Sequence, residues 1–275
     1  MTIPMQWALR RRMMMAALGS GIDVAALSIT YTGAYTDYGM VTMSDGARYR
    51  LLAFTSSGTL SIEQPVNCEV CVVGGGANGN PFTVGEGYHG YGGAGAYLKN
   101  QSVSAYNGGS VVVGAAQSVS SIGGVSVNAV SNQNGGTGGG WLSPGTGDGV
   151  SKYPFGDIAY SLWNGKPHCG GGGSGSQQIR SGRSSFEYTA GREGGTNGGN
   201  GGPYRGASNS GGPGGVYGGG SGGQAFNKGG NASYYGSGAG GGGYYEYYYE
   251  NAQQTEGGSG YQGIVYMRIP EEQAA

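Results

Sequence analysis

Apolar runs near both ends of the chain predict β-strands that flank a long glycine-rich middle. Residues 49–54, 59–62 and 68–73 have the pattern of three strands, and a polar turn ending at Gly58 separates the first two. Residues 264–269 form a further apolar run that predicts a closing strand. We expect strands from the two ends to pair in one sheet and to close the domain.

Glycine dominates the middle of the chain, often at a spacing of three. The chain has 66 glycines in 275 residues, against an ordinary share of about 7%. In "GGTNGGNGGP", Gly195, Gly198 and Gly201 keep one phase, and three is the period of the extended left-handed helix that makes no internal hydrogen bonds. Such helices bond only to neighbours, and glycine lets backbones approach on several sides. The pattern predicts a mainly β or irregular fold, with a β-sandwich-like base and a bundle of polyglycine II helices.

The N-terminal region differs from the rest in composition. Residues 5–18 lack Gly and Pro and are rich in good helix formers, which predicts one short helix. The apolar stretch of residues 13–18 is shorter than a secretory signal requires, so no signal peptide is expected. We divide the chain into an attachment segment (1–45, a short helix and strands), a glycine-rich domain (46–270) and a tail (271–275).

The helix carries a basic run followed by methionines, which supply adaptable contact surface. It could lie on an anionic membrane, but docking onto a larger assembly is the simpler interpretation. The candidate attachment residues are Trp7, Arg10, Arg11, Arg12, Met13 and Met14.

Charge and aromatic content narrow the classes of function. The formal net charge is −1 and charged residues make up 11%, so no electrostatic footprint for nucleic acid exists and no nucleic-acid partner is expected. Three cysteines do not imply a disulfide framework. Twenty-two tyrosines are more contact surface than a flexible linker needs.

Two short motifs suggest chemistry that their context does not support. Gly74, Gly76 and Gly79 form a G-x-G-x-x-G after a strand, but the sequence that follows cannot open the helix that a dinucleotide site needs. Cys68 and Cys71 form a C-x-x-C on a predicted strand, where positions three apart face opposite sides. We therefore expect neither a nucleotide cofactor nor a shared metal at these motifs.

Catalytic and metal-binding groups are sparse. His89 and His168 are the two histidines, and Asp148, Asp157 and Glu187 are isolated in the sequence. No serine stands in a G-x-S-x-G between a strand and a helix. We expect no catalytic residues, no metal site and no cofactor, and an enzyme acting on polysaccharide has no acid pair to support it.

The stretch "GGGGYYEYYYEN" is the strongest candidate site. Tyrosine is a rigid, amphipathic residue that binds at low entropic cost. Receptor contact, subunit packing and an internal aromatic seam are all compatible with the run, and such rings stack on sugars as readily as on protein. The candidate receptor-binding residues are Tyr244, Tyr245, Tyr247, Tyr248 and Tyr249, followed in rank by Tyr234, Tyr235, Trp141 and Trp163.

Five blocks follow one another along the chain: "YRLLAFTSSGTLSI", "CEVCVVGGGANG", "GSVVVGAA", "GGNASYYGSGAGGGG" and "GGSGYQGIVYMRI". In this order they resemble the glycine-rich domain of tail-fibre and adhesin proteins of tailed bacteriophages and prophages. The resemblance covers about residues 46–269. It implies a stack of polyglycine II helices whose loops contact a bacterial receptor. Residues 141–169 have no counterpart in that pattern, and we treat them as an inserted loop.

These observations lead to one expectation and a rival. The expectation is a phage or prophage tail or tail-fibre structural protein that presents aromatic loops to a host cell-surface receptor, either glycan or protein. It would reside in the virion, be extracellular after release, and contact other tail, fibre or baseplate proteins, and homo-oligomers are compatible with it. The rival is a purely structural fibre, decoration or self-assembling surface protein with tyrosine-mediated subunit contacts.

Overall fold

The computed structural model describes residues 22–81, 92–128, 153–157, 159–163, 167–172, 177–180, 186–189, 219–220, 228–247 and 253–273. The helix expected over residues 5–18 lies outside these ranges. Within them the chain is mainly β, as the sequence pattern predicts, with one 3-10 turn at Pro154–Gly156. The strands are β1 (Ile29–Tyr31), β2 (Tyr35–Thr42), β3 (Arg48–Phe54), β4 (Gly58–Val73), β5 (Leu98–Val112), β6 (Ser120–Ile122), β7 (Val125–Val127), β8 (Gln177–Arg180), β9 (Phe186–Thr189), β10 (Tyr244–Tyr247), β11 (Gln253–Gln254) and β12 (Ile264–Pro270).

The larger sheet is antiparallel and closes the domain with strands from both ends of the chain. Its order is β2-β3-β12-β4-β5-β6-β7, and β1 pairs with β4 beyond this path. β12 lies between β3 and β4, so Val265 is opposite Phe54 on one side and Val72 on the other. The expected pairing of the two ends is confirmed.

β4 unites two strands that the sequence pattern separates. It runs without a break from Gly58 to Val73, but its register against β5 shifts between Ser61 and Val66 and again just before Cys68. Pro65 lies in this irregular stretch, and proline has no amide to donate to a ladder. The apolar halves of the strand therefore pair regularly on either side of a local bulge.

Both faces of the central strands are buried because apolar residues occupy both alternating sets of positions. On β3, Leu52 and Phe54 belong to one core and Leu51 and Ala53 to the other. β12 divides in the same way, with Met267 in the first core. A strand buried on both faces has a nearly continuous apolar sequence, which is the pattern of these segments.

The first core is covered by the β6–β7 hairpin together with residues 22–31. Gly123 and Gly124 form the two-residue turn with φ of +56° and +77°, the left-handed values that such hairpin turns require and glycine adopts freely. The hairpin contributes Ile122, Val125 and Val127 to the same core as Phe54.

The second core is covered by the described part of residues 153–172. Trp163 is 1% exposed and belongs to this core. On the same side, Arg268 lies over the rings of Tyr49 and Phe155 at 4.3 and 4.6 Å from their centroids, and Glu69 accepts from its guanidinium at 2.7 Å. Where it is described, the expected inserted loop is thus a packing layer of the domain.

Residues 22–45, expected to be part of the attachment segment, supply two strands of the larger sheet. β1 pairs with β4 and β2 with β3. Arg50 of β3 holds this region by an ion pair to Asp37 at 2.6 Å and by bonds to the carbonyls of Val24 and Leu27. This part of the N-terminal region is therefore integral to the domain.

Beyond the sheet, extended segments without regular strand pairing form what we call the glycine layer. Its described residues are 74–80, 92–97, 167–172, 219–220, 228–232, 236–243 and 255–263. Backbone hydrogen bonds connect these segments to one another throughout. Most glycines and alanines in the layer are buried, so the bonds replace those to water.

Within the glycine layer, bonds to the same neighbour recur every third residue. The carbonyls of Ser237, Gly240 and Gly243 accept from the amides of Tyr261, Gly258 and Thr255 at 2.9, 2.8 and 3.1 Å. In the same segment, the amides of residues 239 and 242 donate to the carbonyls of residues 77 and 80, both at 3.0 Å. A β-ladder bonds to the same neighbour at every second residue, so these segments follow a different rule.

Gly238 illustrates the packing of this layer. Its amide donates to Gly170 at 2.8 Å and its carbonyl accepts from Gly220 at 3.0 Å. A Cβ at this position would come closer than 3.0 Å to the carbonyl oxygens of Gly93 and Ala94. Gly238 therefore contacts three segments through its backbone, and any side chain would exclude one of them.

Candidate functional site

The tyrosine-rich stretch begins in a second, four-stranded sheet. Tyr244, Tyr245 and Tyr247 belong to β10, which lies between β8 and β11 in the order β11-β10-β8-β9. β8 is parallel to β10, and β11 and β9 are antiparallel to their neighbours. Tyr248 and Tyr249 lie outside the described residues, so the outcome for them stays a prediction.

β10 continues directly from the glycine layer. Residues 244 and 245 pair with 254 and 253, in the same antiparallel register that joins residues 237, 240 and 243 to 261, 258 and 255. The partner segment, residues 255–263, leads straight into β12 of the larger sheet. The end of residues 236–243 that lies farthest from β10 therefore adjoins the larger sheet. An extended chain rises about 3.1–3.4 Å per residue, so β10 begins roughly 25 Å from Gly236.

Cross-strand pairing arranges the smaller sheet in four rows. One row joins Tyr245 to Gln178 and Tyr188, and the row two positions on joins Tyr247 to Arg180 and Phe186. The intervening rows hold Tyr244 with Gln177 and Thr189, and Glu246 with Ile179 and Glu187. Each described tyrosine of the candidate stretch therefore has a defined register partner on β8.

Tyr234 and Tyr235 belong to an aromatic cluster at the opposite end of the glycine layer. Their ring centroids lie 5.0 and 6.2 Å from the imidazole of His168, and the ring of Tyr235 lies 5.6 Å from that of Tyr261. Tyr234 and Tyr235 are half-buried and Tyr261 is 36% exposed. The cluster thus has a buried floor and a partly exposed upper side.

His168 forms the centre of that floor. Its Nε2 lies 3.0 Å from the Tyr266 hydroxyl, and its Nδ1 is buried without a hydrogen-bond partner. Burial lowers the pKa of His168 to about 3, because a charged imidazole would lose its hydration. The side chain is therefore neutral across the physiological pH range and cannot serve as a general acid or base there.

Trp163 occupies a position that does not suit receptor contact. Its ring lies 4.9 Å from Tyr266 and 5.4 Å from Tyr160, and at 1% exposure a macromolecular partner cannot reach it. We therefore leave Trp163 out of the functional proposal. Trp141 and the six candidate attachment residues lie outside the described residues: Trp7, Arg10, Arg11, Arg12, Met13 and Met14.

The amides of the G-x-G-x-x-G motif are used inside the fold. Those of Gly74, Gly76 and Gly79 donate to the carbonyls of Tyr97, Tyr261 and Gly258 at 2.9 to 3.1 Å. A phosphate site needs free amides at a helix N-terminus, and no helix follows within residues 74–81. The motif is therefore part of the glycine layer.

The C-x-x-C cysteines lie on opposite faces of β4, as predicted. Cys68 belongs to the first core and Cys71 to the second. Burial, with a smaller contribution from the Glu69 carboxylate, raises the pKa of Cys68 to about 12, and burial also raises that of Cys71. Both thiols are protonated and unreactive at neutral pH.

Among the other titratable residues, Asp157 has a structural partner. Burial alone would raise its pKa, but hydrogen bonds from the hydroxyl and amide of Ser44 lower it. Over the described residues, no group of three or more His, Cys, Asp or Glu side chains could hold a metal ion. His89 and Asp148 lie outside those residues.

Sequence reasoning missed β8 and β9, which build the smaller sheet with β10. The available signal was a short hairpin pattern, in which "QQIR" and "FEYT" flank the glycine- and serine-containing link "SGRSS". Their importance depends on the pairing of β8 with β10, which follows it by more than sixty residues. A single-sequence pattern does not contain that register.

Across the described ranges, no helix has the length and apolar character needed to span a bilayer. No family model matches this chain, and neither a curated protein nor a solved structure does.

Proposed function

We propose that the glycine layer is a bundle of polyglycine II helices, and that the chain is a tail or tail-fibre structural protein of a tailed bacteriophage or prophage. In this proposal the bundle is a rigid support whose aromatic loops bind a receptor on the host cell surface. The protein is non-catalytic, resides in the virion, and contacts other tail, fibre or baseplate proteins.

The observation that carries the proposal is the three-residue recurrence of hydrogen bonds in the glycine layer. Three residues complete one turn of a polyglycine II helix, so bonds to one neighbour return at every third position. A second set fits the same rule: the amides of residues 76 and 79 donate to the carbonyls of residues 261 and 258. Both parallel and antiparallel neighbours obey it.

Rigidity links this architecture to receptor binding. Loops held on a stiff support lose less conformational entropy on contact than loops on a flexible one. β10 emerges from the segment with the most neighbours in the layer, and it carries Tyr244, Tyr245 and Tyr247. The ordered blocks that resemble phage glycine-rich domains point to the same biological setting.

The architecture is tested by amide hydrogen exchange. Amides of residues 236, 238, 239, 240 and 242 in a polyglycine II bundle should be protected as strongly as those of β4, because each donates to a carbonyl of another segment of the glycine layer. Rapid exchange throughout this segment under native conditions would contradict the proposal.

The function is tested by binding of the purified, fluorescently labelled chain to a panel of intact bacteria. The chain should bind a subset of strains and block adsorption of phages that infect them. Replacing Tyr244, Tyr245, Tyr247, Tyr248 and Tyr249 with serine should abolish binding without lowering the unfolding midpoint. The control is Tyr97→Ser, at a tyrosine that is 56% exposed outside the stretch. Equal binding by the five-residue variant and the parent would refute the site.

The rival, a self-assembling structural protein, is separated by mass measurement. Tyrosine-mediated subunit contacts would give large particles in the absence of bacteria, and the five-residue variant would dissociate them. A mass that is unchanged by the substitutions, together with lost cell binding, supports the receptor-binding function.

A further inference from the structure

The aromatic cluster around His168 is assembled from distant parts of the chain. Its members come from β2, from residues 160–168, from the turn at residues 234–235, from residue 261 and from β12. We call its five more accessible members the tyrosine rim: Tyr38, Tyr160, Tyr234, Tyr235 and Tyr261. The buried floor consists of Trp163, His168 and Tyr266.

A β-bulge brings Tyr38 to this cluster. The register between β2 and β3 shifts between Asp37 and Met40, so Tyr38 and Gly39 stand where β3 has a single residue. That residue is Leu51, which belongs to the second core together with the floor. Gly39 has a φ of +66°, and a bulge of this kind bends a strand and re-aims a side chain, often next to a functional site.

The hydroxyl groups of the cluster lie near one another. Burial raises the pKa of four of its tyrosines, and in each of them the Tyr38 hydroxyl adds to the rise: Tyr160, Tyr234, Tyr235 and Tyr266. Repulsion between charges weakens with distance, so the Tyr38 hydroxyl lies near all four. At neutral pH these four hydroxyls are uncharged, and each both donates and accepts hydrogen bonds.

The rim exposes ring surface together with these hydroxyls. The rings of Tyr235 and Tyr261 have centroids 5.6 Å apart and planes at 73°, and Tyr234 packs on Tyr235 at 5.6 Å. Tyr38 and Tyr261 are 40% and 36% exposed. Rings that meet at a steep angle form a corner and not a flat patch, and rigid amphipathic rings of this kind are typical of evolved binding surfaces.

The floor carries polar atoms that packing alone does not explain. Nε1 of Trp163 and Nδ1 of His168 are buried without a hydrogen-bond partner, which costs stability. The two rings lie 6.0 Å apart, and the imidazole is 5.0 Å from the ring of Tyr234 in the rim. Unsatisfied buried groups are uncommon in native proteins, so two of them directly beside the rim favour a functional role for the cluster over packing alone.

The charge near the cluster indicates a neutral ligand. Burial and Tyr38 raise the pKa of Tyr160, and the Asp157 carboxylate raises it further. That carboxylate is ionised at neutral pH, because hydrogen bonds from Ser44 outweigh its burial and lower its pKa. It repels an anionic ligand. A neutral sugar has a C–H face that packs on aromatic rings, and its hydroxyls bond to phenol hydroxyls.

We propose that the tyrosine rim is a second binding site of this protein and that its ligand is a neutral glycan. Tyr235 and Tyr261 pack on the sugar ring, and the Tyr38 hydroxyl bonds to sugar hydroxyls. The rim lies at the end of the glycine layer that adjoins the larger sheet, away from β10. The inference therefore goes beyond the function proposed above and does not depend on the tyrosines of β10.

The test is binding of the full chain to an array of bacterial surface glycans that contains neutral hexose chains, uronate-bearing chains and phosphorylated chains. We expect binding to neutral chains, with acidic chains bound at least several-fold more weakly because Asp157 repels them. Isothermal titration with a neutral oligosaccharide from the array then measures the affinity of the parent and of the variants.

Exposed tyrosines supply the variants and a matched control. Tyr261→Ser should weaken binding of the neutral oligosaccharide by roughly tenfold or more, as expected for an aromatic contact at a binding centre, and Tyr38→Ser by at least about threefold. Tyr97→Ser removes an exposed tyrosine outside the cluster and should leave affinity within about twofold. An unfolding midpoint equal to that of the parent excludes misfolding as the cause of a loss.

Several outcomes would overturn the inference. They are absence of binding to every neutral chain, equal or tighter binding to acidic chains, unchanged affinity in both rim variants, or a loss for Tyr97→Ser as large as for Tyr261→Ser. A rim that binds a protein would show no array binding, and Tyr261→Ser would weaken binding to bacteria only before protease treatment. Array binding without any block of phage adsorption supports the rim and refutes the receptor-binding function, whereas blocked adsorption without array binding supports that function and refutes the rim.

Discussion

Replacing Gly238 with alanine tests whether close backbone packing holds the glycine layer together. The new Cβ would overlap the carbonyls of Gly93 and Ala94, so one of the neighbouring segments must move. The bonds at risk are those from Gly238 to Gly170, from Gly220 to Gly238 and from Gly172 to Gly93, at 2.8, 3.0 and 2.9 Å. All of them lie between buried groups.

The expected magnitude follows from those bonds. A buried polar group left unpaired costs about 1–3 kcal/mol, and partial relaxation of three bonds gives a loss of roughly 4 kcal/mol. Alanine restricts the unfolded chain and returns about 0.5–1 kcal/mol. The net loss of unfolding free energy is roughly 3 kcal/mol, which for a chain of this size lowers the thermal midpoint by about 6–12 °C.

Gly46→Ala is the matched control. Gly46 has a φ of +83° and no atom within 4 Å of an added Cβ, so alanine there meets only the backbone strain of a left-handed residue, a net of about 1 kcal/mol. Urea and thermal unfolding of both variants measure the difference. A Gly238→Ala variant as stable as Gly46→Ala would refute the packing argument.

Three further predictions concern the sheet and its cores. The buried thiols of Cys68, Cys71 and Cys169 should resist a thiol reagent at pH 8 and react after unfolding in urea, and rapid reaction in the native protein would contradict their burial. Because the folded pKa of His168 is about 3 and its unfolded value about 6.5, the unfolded state gains a proton first as pH falls. Unfolding free energy should drop between pH 6.5 and 4.5 by up to about 1.4 kcal/mol per unit, and a His168→Phe variant that kept the full slope would refute this. Glu69→Ala leaves the Arg268 guanidinium, which is 10% exposed, without its carboxylate. A loss of roughly 2 kcal/mol is expected, discounted from the cost for a fully buried pair because Glu69 is partly exposed, and urea unfolding that shows no loss would rule it out.

The sequence predicted the strands that are buried on both faces, because such strands have a continuous apolar pattern. β3 and β12 occupy almost the residues expected of them, and Cys68 and Cys71 face opposite cores as the strand period requires. These features depend on local alternation, which a single chain displays directly.

Elements defined by distant pairing were harder to predict. β5 is largely exposed, so its polar sequence gives little strand signal, and it is held by pairing with β4 over most of its length. β8 and β9 are short and mostly polar, so their sequences also give little strand signal. The pairing of the tyrosine stretch with β8 joins residues more than sixty positions apart, and the local pattern does not contain that register.

Trp163 shows a different limit. Composition marked it as an aromatic residue in a glycine-rich loop, a context in which exposure is as reasonable as burial. Its placement depends on contacts with Tyr266, about a hundred residues later in the chain. The sequence could rank it as a candidate but could not assign it to the core.

The central position of β12 has a consequence for synthesis of the protein. The strand that joins β3 to β4 leaves the ribosome roughly 190 residues after β4, and contacts so distant in sequence form slowly. Until then the apolar edges of β3 and β4 have no partner between them and are prone to aggregate. The nascent chain therefore completes its sheet only after the glycine tracts have been translated, and a product that terminates early in those tracts is expected to be a substrate for chaperones and proteases.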